Sequence, residues 1–153
     1  MGGYGGASGR VKEKCYYDTG GHKVTDADAI RVAEKYIKEG KYVAFLKKRN
    51  DQLQADLSVE GVHVEVKGIE SMNPDTIEGR IIHGFRQIVA DNYRYPPETH
   101  REGKVVVLSK HDPSISRSDV INAITKAYNS ALYKGEVTGK LEVWFGNDIV
   151  RIN

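Results

Sequence analysis

The chain has 153 residues, 39% of them hydrophobic, and a formal net charge of +2. That length and apolar content suffice for one domain with its own core, and so mild a basicity neither requires nor excludes a nucleic-acid partner. The single cysteine, Cys15, excludes an intrachain disulfide and a cysteine-built zinc cluster, and no apolar run approaches the ~20 residues of a bilayer span.

The opening Met-Gly-Gly-Tyr-Gly-Gly-Ala-Ser-Gly has neither periodicity nor bulk. Residues 1–20 therefore read as a flexible glycine-rich leader and residues 21–153 as one domain, with order setting in between Val11 and Val24. No basic-plus-apolar secretory pattern opens the chain. Thr25 or Asp26 can cap a helix that runs to about Glu39, where Gly40 stops it. Ile30, Ala33 and Ile37 form its expected buried stripe, flanked by Ala29 and Tyr36, and Glu34 lies at the edge of that face.

Residues 42–46, 55–59 and 62–67 read as three strands, the first two joined by the turn-rich Lys48-Arg49-Asn50-Asp51. Asn73-Pro74-Asp75 combines an N-cap, a proline at the first helical position and an acid in the first turn, so a helix should run from there to about Asn92. Ile77, Ile81, Phe85 and Ile88 give it an apolar side, and Arg80, His83 and Gln87 fall together on a neighbouring side. Pro96-Pro97 closes it into a loop. Residues 104–109 read as a buried strand reached by a crossover, and residues 116–134 as a helix with Val120, Ile121, Ile124, Tyr128 and Leu132 in the core. Residues 141–145 and 149–152 form a terminal hairpin about Gly146-Asn147-Asp148.

The chemistry concentrates in the second and third strands. Leu57 and Val59 share one side before the Glu60-Gly61 turn, and Val62, Val64 and Val66 share one side after it. Asp56, Glu65 and Lys67 then fall on the opposite sheet surface. Two carboxylates can hold a hard divalent cation, and the ammonium can steer a water or offset negative charge developing on a phosphoryl group. The same alternation also describes an amphipathic hairpin with a solvated outer face. Ser71 and Asn73 read either as helix caps or, with the free N–H groups of that helix end, as a phosphate-binding corner. Arg80, His83 and Gln87 read either as a solvated helix side, the preferred reading for His83, or as a groove wall that contacts phosphate, base or ribose.

The residues Ala55-Asp56-Leu57, Val64-Glu65-Val66-Lys67, Ser71, Asn73-Pro74-Asp75-Thr76-Ile77 and Gly84-Phe85-Arg86-Gln87 resemble the PD-(D/E)xK nuclease superfamily. Within it they resemble the C-terminal tRNase toxin domains of contact-dependent growth inhibition and other polymorphic toxin systems. The order helix, three strands, helix, strand over residues 25–109 is similar to that superfamily's core. Ala55 stands where the motif's name places proline. The resemblance implies an α/β (α+β), restriction-endonuclease-like fold with a central mixed sheet and flanking helices. It further implies a metal-dependent endonuclease that cleaves RNA, tRNA above all, with a DNase or a non-enzymatic binding module as the other outcomes. Asp56 and Glu65 would bind Mg2+ or Mn2+, Lys67 would be the catalytic lysine, and Glu34 would match the acid many members contribute from the first helix, where a solvent-facing glutamate is equally ordinary. Ser71, Asn73, Arg80 and Gln87 would bind substrate. A toxin of this kind implies delivery from the cell surface or by secretion, action in a target-cell cytoplasm, no membrane segment in the domain, and a cognate immunity protein. Lys47, Lys48, Arg49, Arg80 and Arg86 are candidate contacts for that partner.

Overall fold

Helix α1 (Ala27–Lys38) starts where the Asp26 carboxylate accepts hydrogen bonds from the Asp28 and Ala29 N–H groups, and it ends before Gly40, whose φ of 80° lets the chain turn away. Strands β1 (Val43–Phe45), β2 (Leu57–Val59) and β3 (Val62–Ile69) follow. Helix α2 (Pro74–Asn92) is capped by the Asn73 side chain, which accepts from the Asp75 and Thr76 N–H groups at 3.0 and 3.1 Å. Strand β4 (Gly103–Ser109), helix α3 (Arg117–Tyr133) with Ser116 as its N-cap, and strands β5 (Gly139–Phe145) and β6 (Asp148–Arg151) complete the chain. These elements come from a computed structural model that describes residues 15–47, 56–92 and 103–153. The leader at 1–14, Ala55, the turn at 48–51 and Pro96-Pro97 lie outside the described residues.

The six strands form one mixed sheet in the order β1-β2-β3-β4-β5-β6. The β3/β4 and β4/β5 pairs are parallel and the other pairs are antiparallel. Parallel neighbours require crossovers, and α2 and α3 supply them on one shared face of the sheet. There Ile77, Ile81, Phe85, Ile88 and Ile124 pack on Val105, Val107, Leu141 and Val143. The other face carries α1, whose Ala29, Val32, Ala33 and Tyr36 pack on Leu57, Val64, Val66, Val106 and Trp144. The fold is thus α+β with helices on both faces of a mixed sheet.

Several boundaries and faces differ from the sequence reading. The chain is already in place at Tyr16, within the Val11–Val24 window: Tyr17 pairs with Lys23, Asp18 bridges to Phe45, and the Thr19 N–H donates to the Phe45 carbonyl at 2.9 Å. Asp18 and Thr19 therefore lie against the outer edge of β1 at Phe45. On α1, Val32 is fully buried and Ile37 is 38% exposed, because Tyr36 meets the Trp144 ring edge-on at 5.8 Å and turns the helix toward that contact. On α3, Ala127 and Ala131 form the inner row, and Leu132, about 100° further round the helix, is half exposed. Val62 opens β3 at the sheet margin and is exposed, unlike Val64 and Val66. The last hairpin turns on Gly146-Asn147 alone, so Asp148 already pairs with Phe145.

Candidate functional site

The β2/β3 hairpin is closed by Glu60 and Gly61, with φ of 51° and 82°, the positive pair that a two-residue turn between twisted strands needs. This turn fixes Leu57 opposite Val64 and Val59 opposite Val62. Leu57, Val59, Val64 and Val66 then point toward α1, and Glu65 and Lys67 point toward α2. A regular continuation of this register would place Asp56 opposite Glu65. Instead the Asp56 N–H donates to the Val64 carbonyl at 3.1 Å, the Leu46 N–H donates to the Asp56 carbonyl at 3.0 Å, and Asp56 Oδ2 accepts the Val66 N–H at 2.9 Å. The Asp56 carboxylate thereby takes the place of a ladder carbonyl just before β2 begins.

Asp56, Glu65 and Lys67 are 7%, 3% and 7% exposed. A solvated outer face is excluded by that burial. For Glu65 and Lys67 the cover comes from α2, whose Gly84 packs against Val105 and Glu65. A Cβ there would fall 3.1 Å from a Val105 methyl and 3.6 Å from Glu65 Cγ, so glycine permits the helix to approach β3 and β4 closely. On either side of Gly84, His83 and Gln87 reach Lys67.

The Lys67 ammonium has three N–H donors and three acceptors. Glu65 Oε2 lies 3.0 Å from Nζ, Gln87 Oε1 2.6 Å and His83 Nδ1 3.0 Å. Because an ammonium only donates, His83 Nδ1 accepts and its proton resides on Nε2. Burial holds the His83 imidazole below its ordinary pKa, and the neighbouring charges of Lys67, Arg80 and Arg86 act in the same direction. His83 is thus a neutral acceptor at pH 7 on the exposed side of Lys67, whereas Glu65 holds the buried side. His83 is the site residue that sequence reasoning undervalued. Its signal was its place one helical turn before Gln87.

The remaining candidates divide by location. Ser71 Oγ accepts the Asn73 N–H at 3.0 Å, and the Ser71 carbonyl is 3.0 Å from His111 Nε2, so Ser71 and Asn73 shape the start of α2. Arg80 donates to the Gly68 carbonyl at 3.0 Å, which ties α2 to the end of β3. Arg86 makes a two-point contact with Glu136 on the way out of α3. Glu34 is on α1, across the sheet from Glu65 and Lys67, where it accepts the Tyr16 hydroxyl at 3.1 Å. Burial, and after it the Glu34 contact, push the Tyr16 hydroxyl pKa up. The structure therefore groups Glu65, Lys67, His83 and Gln87 on the α2 side; Asp56, which alternation alone would set beside Glu65, instead bonds the Val66 N–H and lines a cavity with Asp26 and Ala29 at the start of α1, and Glu34 lies in the α1 layer. Lys47 is exposed, and Lys48 and Arg49 fall outside the described residues.

Among the described residues no three His, Cys, Asp or Glu side chains converge as a metal cage. Asp56 and Glu65 supply two buried carboxylates, the hard donor type of an ion such as Mg2+, which is held through one or two carboxylates and retains several waters. No helix among the described residues is long and apolar enough to cross a membrane. Comparison of the chain with protein-family models, with curated proteins and with solved structures finds no match.

Proposed function

We propose that the domain is a metal-dependent endonuclease, an RNase toxin acting on tRNA, with Asp56, Glu65 and Lys67 at its centre. One observation carries the reading: the Glu65–Lys67 pair is buried under α2, and Asp56 is buried against the N–H of Val66, which lies between them in sequence, at the cost of removing three charges from water. Buried charges without a stabilising surplus are retained where they serve chemistry or specificity.

Asp56 and Glu65 would hold the cation, which when bound polarises a phosphoryl oxygen and lowers the pKa of a bound water. Lys67 brings a fixed positive charge to the phosphate undergoing attack. Its Gln87 and Glu65 bonds hold the ammonium from the inside, and the exposed His83 bond is the one a phosphate oxygen can replace. The displaced imidazole, neutral and with Nε2–H as donor, can then hydrogen-bond the same phosphate. Gln87 keeps its place as an orienting acceptor. Glu34 has no part in this set and is not assigned one. The resemblance to tRNase toxin domains supports RNA over DNA, and a toxin of this kind acts inside a target cell and is restrained by an immunity protein in its producer.

The test is cleavage of purified tRNA and of duplex DNA by wild type and Glu65→Gln, with Mg2+, with Mn2+ and with EDTA. Cleavage of tRNA that EDTA and Glu65→Gln both abolish is the expected result. Cleavage of DNA alone establishes the DNase instead, and folded wild type that cuts neither refutes the nuclease. Induced expression should arrest growth, and Asp56→Ala should relieve the arrest.

A further inference from the structure

A cavity of about 610 Å³ opens beside Asp56, between residues 18–26, the first turn of α1 and the end of β1. We infer that it is a subsite for one unpaired nucleobase of the substrate, the base adjoining the bond cut at Asp56, Glu65 and Lys67. The inference rests on the nuclease reading for the word substrate, but the site itself is argued from its own walls. Its volume is that of a small-molecule site, ~300–1,000 Å³.

Val24, Ala29, Phe45 and Leu46 make the apolar part of the lining. Phe45 and Ala29 belong to the core and keep that surface rigid. The polar part carries Asp18, Asp26 and Asp56 against Lys23, Lys47 and His22, whose Nδ1 lies 3.6 Å from Asp18 Oδ1: three carboxylates to two ammoniums and one imidazole. That balance does not draw a phosphate inward. It suits a neutral, flat, partly apolar group with N–H donors on its edge. Two of the acids are held in fixed positions by the backbone. Asp18 Oδ1 accepts the Gly20 and His22 N–H groups at 2.8 and 3.0 Å, and Asp26 Oδ1 accepts those of Asp28 and Ala29 at 3.0 and 3.1 Å. Preset acceptors favour bases with amino groups, guanine, adenine and cytosine, over uracil. Lys23 and Lys47 lie exposed at the margin, where the backbone phosphates of an extruded base would pass. The Lys47 stem packs on Gly20 and its N–H donates to Thr19 Oγ1 at 3.0 Å, so this ammonium projects from an anchored base.

Because Asp56 lines the cavity and also bonds the Val66 N–H, between Glu65 and Lys67 in β3, a base seated there lies beside one member of the proposed catalytic set. A base reaches such a cavity only when unstacked, so the substrate class is single-stranded or looped nucleic acid and not regular duplex.

The experiment is amide NMR of the full chain in metal-free buffer, titrated with GMP, AMP, CMP, UMP and inorganic phosphate. The expected result is shifts at Val24, Ala29 and Leu46 with the amino-bearing nucleotides, severalfold weaker with UMP and absent with phosphate alone. Thr25→Trp, which fills the cavity from its exposed rim, should remove those shifts and raise KM for a tRNA substrate more than it lowers kcat. Equal shifts with inorganic phosphate, shifts confined to α2, or no shifts at all overturn the subsite. Loss of the subsite with tRNA cleavage intact leaves the nuclease standing. Nucleotide binding at these amides without cleavage of any nucleic acid sinks the nuclease and keeps the base site.

Discussion

Replacing Lys67 with methionine should destabilise the domain far more than an ordinary surface lysine substitution. Glu65 is only 3% exposed and its Oε2 lies 3.0 Å from Nζ, so Lys67→Met takes the ammonium partner from a buried carboxylate. Breaking one partner out of a buried pair costs about 3–5 kcal/mol. His83 Nδ1 and Gln87 Oε1 lose a donor in the same step, but both belong to partly or largely exposed residues that water can serve. At about 2–4 °C per kcal/mol for a chain of this size, the melting temperature should fall by roughly 10 °C. Glu65→Leu combined with Lys67→Met removes both charges and should recover most of the loss, since apolar replacement of a buried pair is often neutral or better. Urea unfolding at pH 7, followed by far-UV circular dichroism for wild type, the two single variants and the double, gives the coupling energy directly. A cost under about 1 kcal/mol for Lys67→Met, the range of a surface pair, would refute the burial argument. All three variants should be inactive, so the stability recovered by the double variant separates the fold from the chemistry.

Asp56→Asn keeps an acceptor for the Val66 N–H and should fold normally while losing cleavage, whereas Asp56→Ala leaves that N–H unpaired at a cost of about 1–3 kcal/mol; equal melts for the two variants would contradict the strand-end role. The His83 ring should titrate below its ordinary value, because burial and then the Lys67, Arg80 and Arg86 charges oppose its proton. A depressed histidine favours folding above the unfolded value near 6.5, and its contribution is lost as pH falls through the folded value; a ring titration at or above 6.5 by NMR would count against the assigned contact. Removal of the Lys67 charge should move that midpoint upward. Gly84→Val should lift α2 off β3 and β4 and lower stability by about 1–3 kcal/mol, visible in the thermal melt together with altered His83 and Gln87 resonances.

Much of the scaffold was legible because local chemistry and tertiary context agree. Asp26, Asn73 and Ser116 cap their helices as their side chains invite, and the alternation from Leu57 to Lys67 sorts valines from charges as period 2 requires. What the sequence left open was what covers each face. Alternation alone cannot tell water from a helix, and only the packing of Gly84 over Glu65 shows that the charged side is an interior one. The assignment of Glu34 depended on which side of the sheet α1 occupies, a long-range fact that helix periodicity does not contain. Ile37 and Leu132 were placed inward by hydrophobicity, but the Tyr36–Trp144 contact and the Ala127/Ala131 row set the rotation of their helices. His83 looked like one more surface histidine because its partner lies 16 residues away on another element.

The Glu60-Gly61 turn bears on how this domain tolerates change. Strand β3 serves two masters: its even-numbered Val64 and Val66 complete one core, and its odd-numbered Glu65 and Lys67 form the buried pair of the candidate site. A single residue inserted into or deleted from that turn, if absorbed by β3 sliding along β2, would invert both roles together, driving a glutamate and a lysine into the α1 core and presenting valines to His83 and Gln87. Length variation is therefore barred from a loop that, judged by its exposure alone, looks permissive. Its backbone reinforces the restriction, since Glu60 accepts a φ of 51° that few side chains favour. This two-residue connection thus acts as a reading frame for the candidate site, and a frame error there would disrupt the core and that site at once.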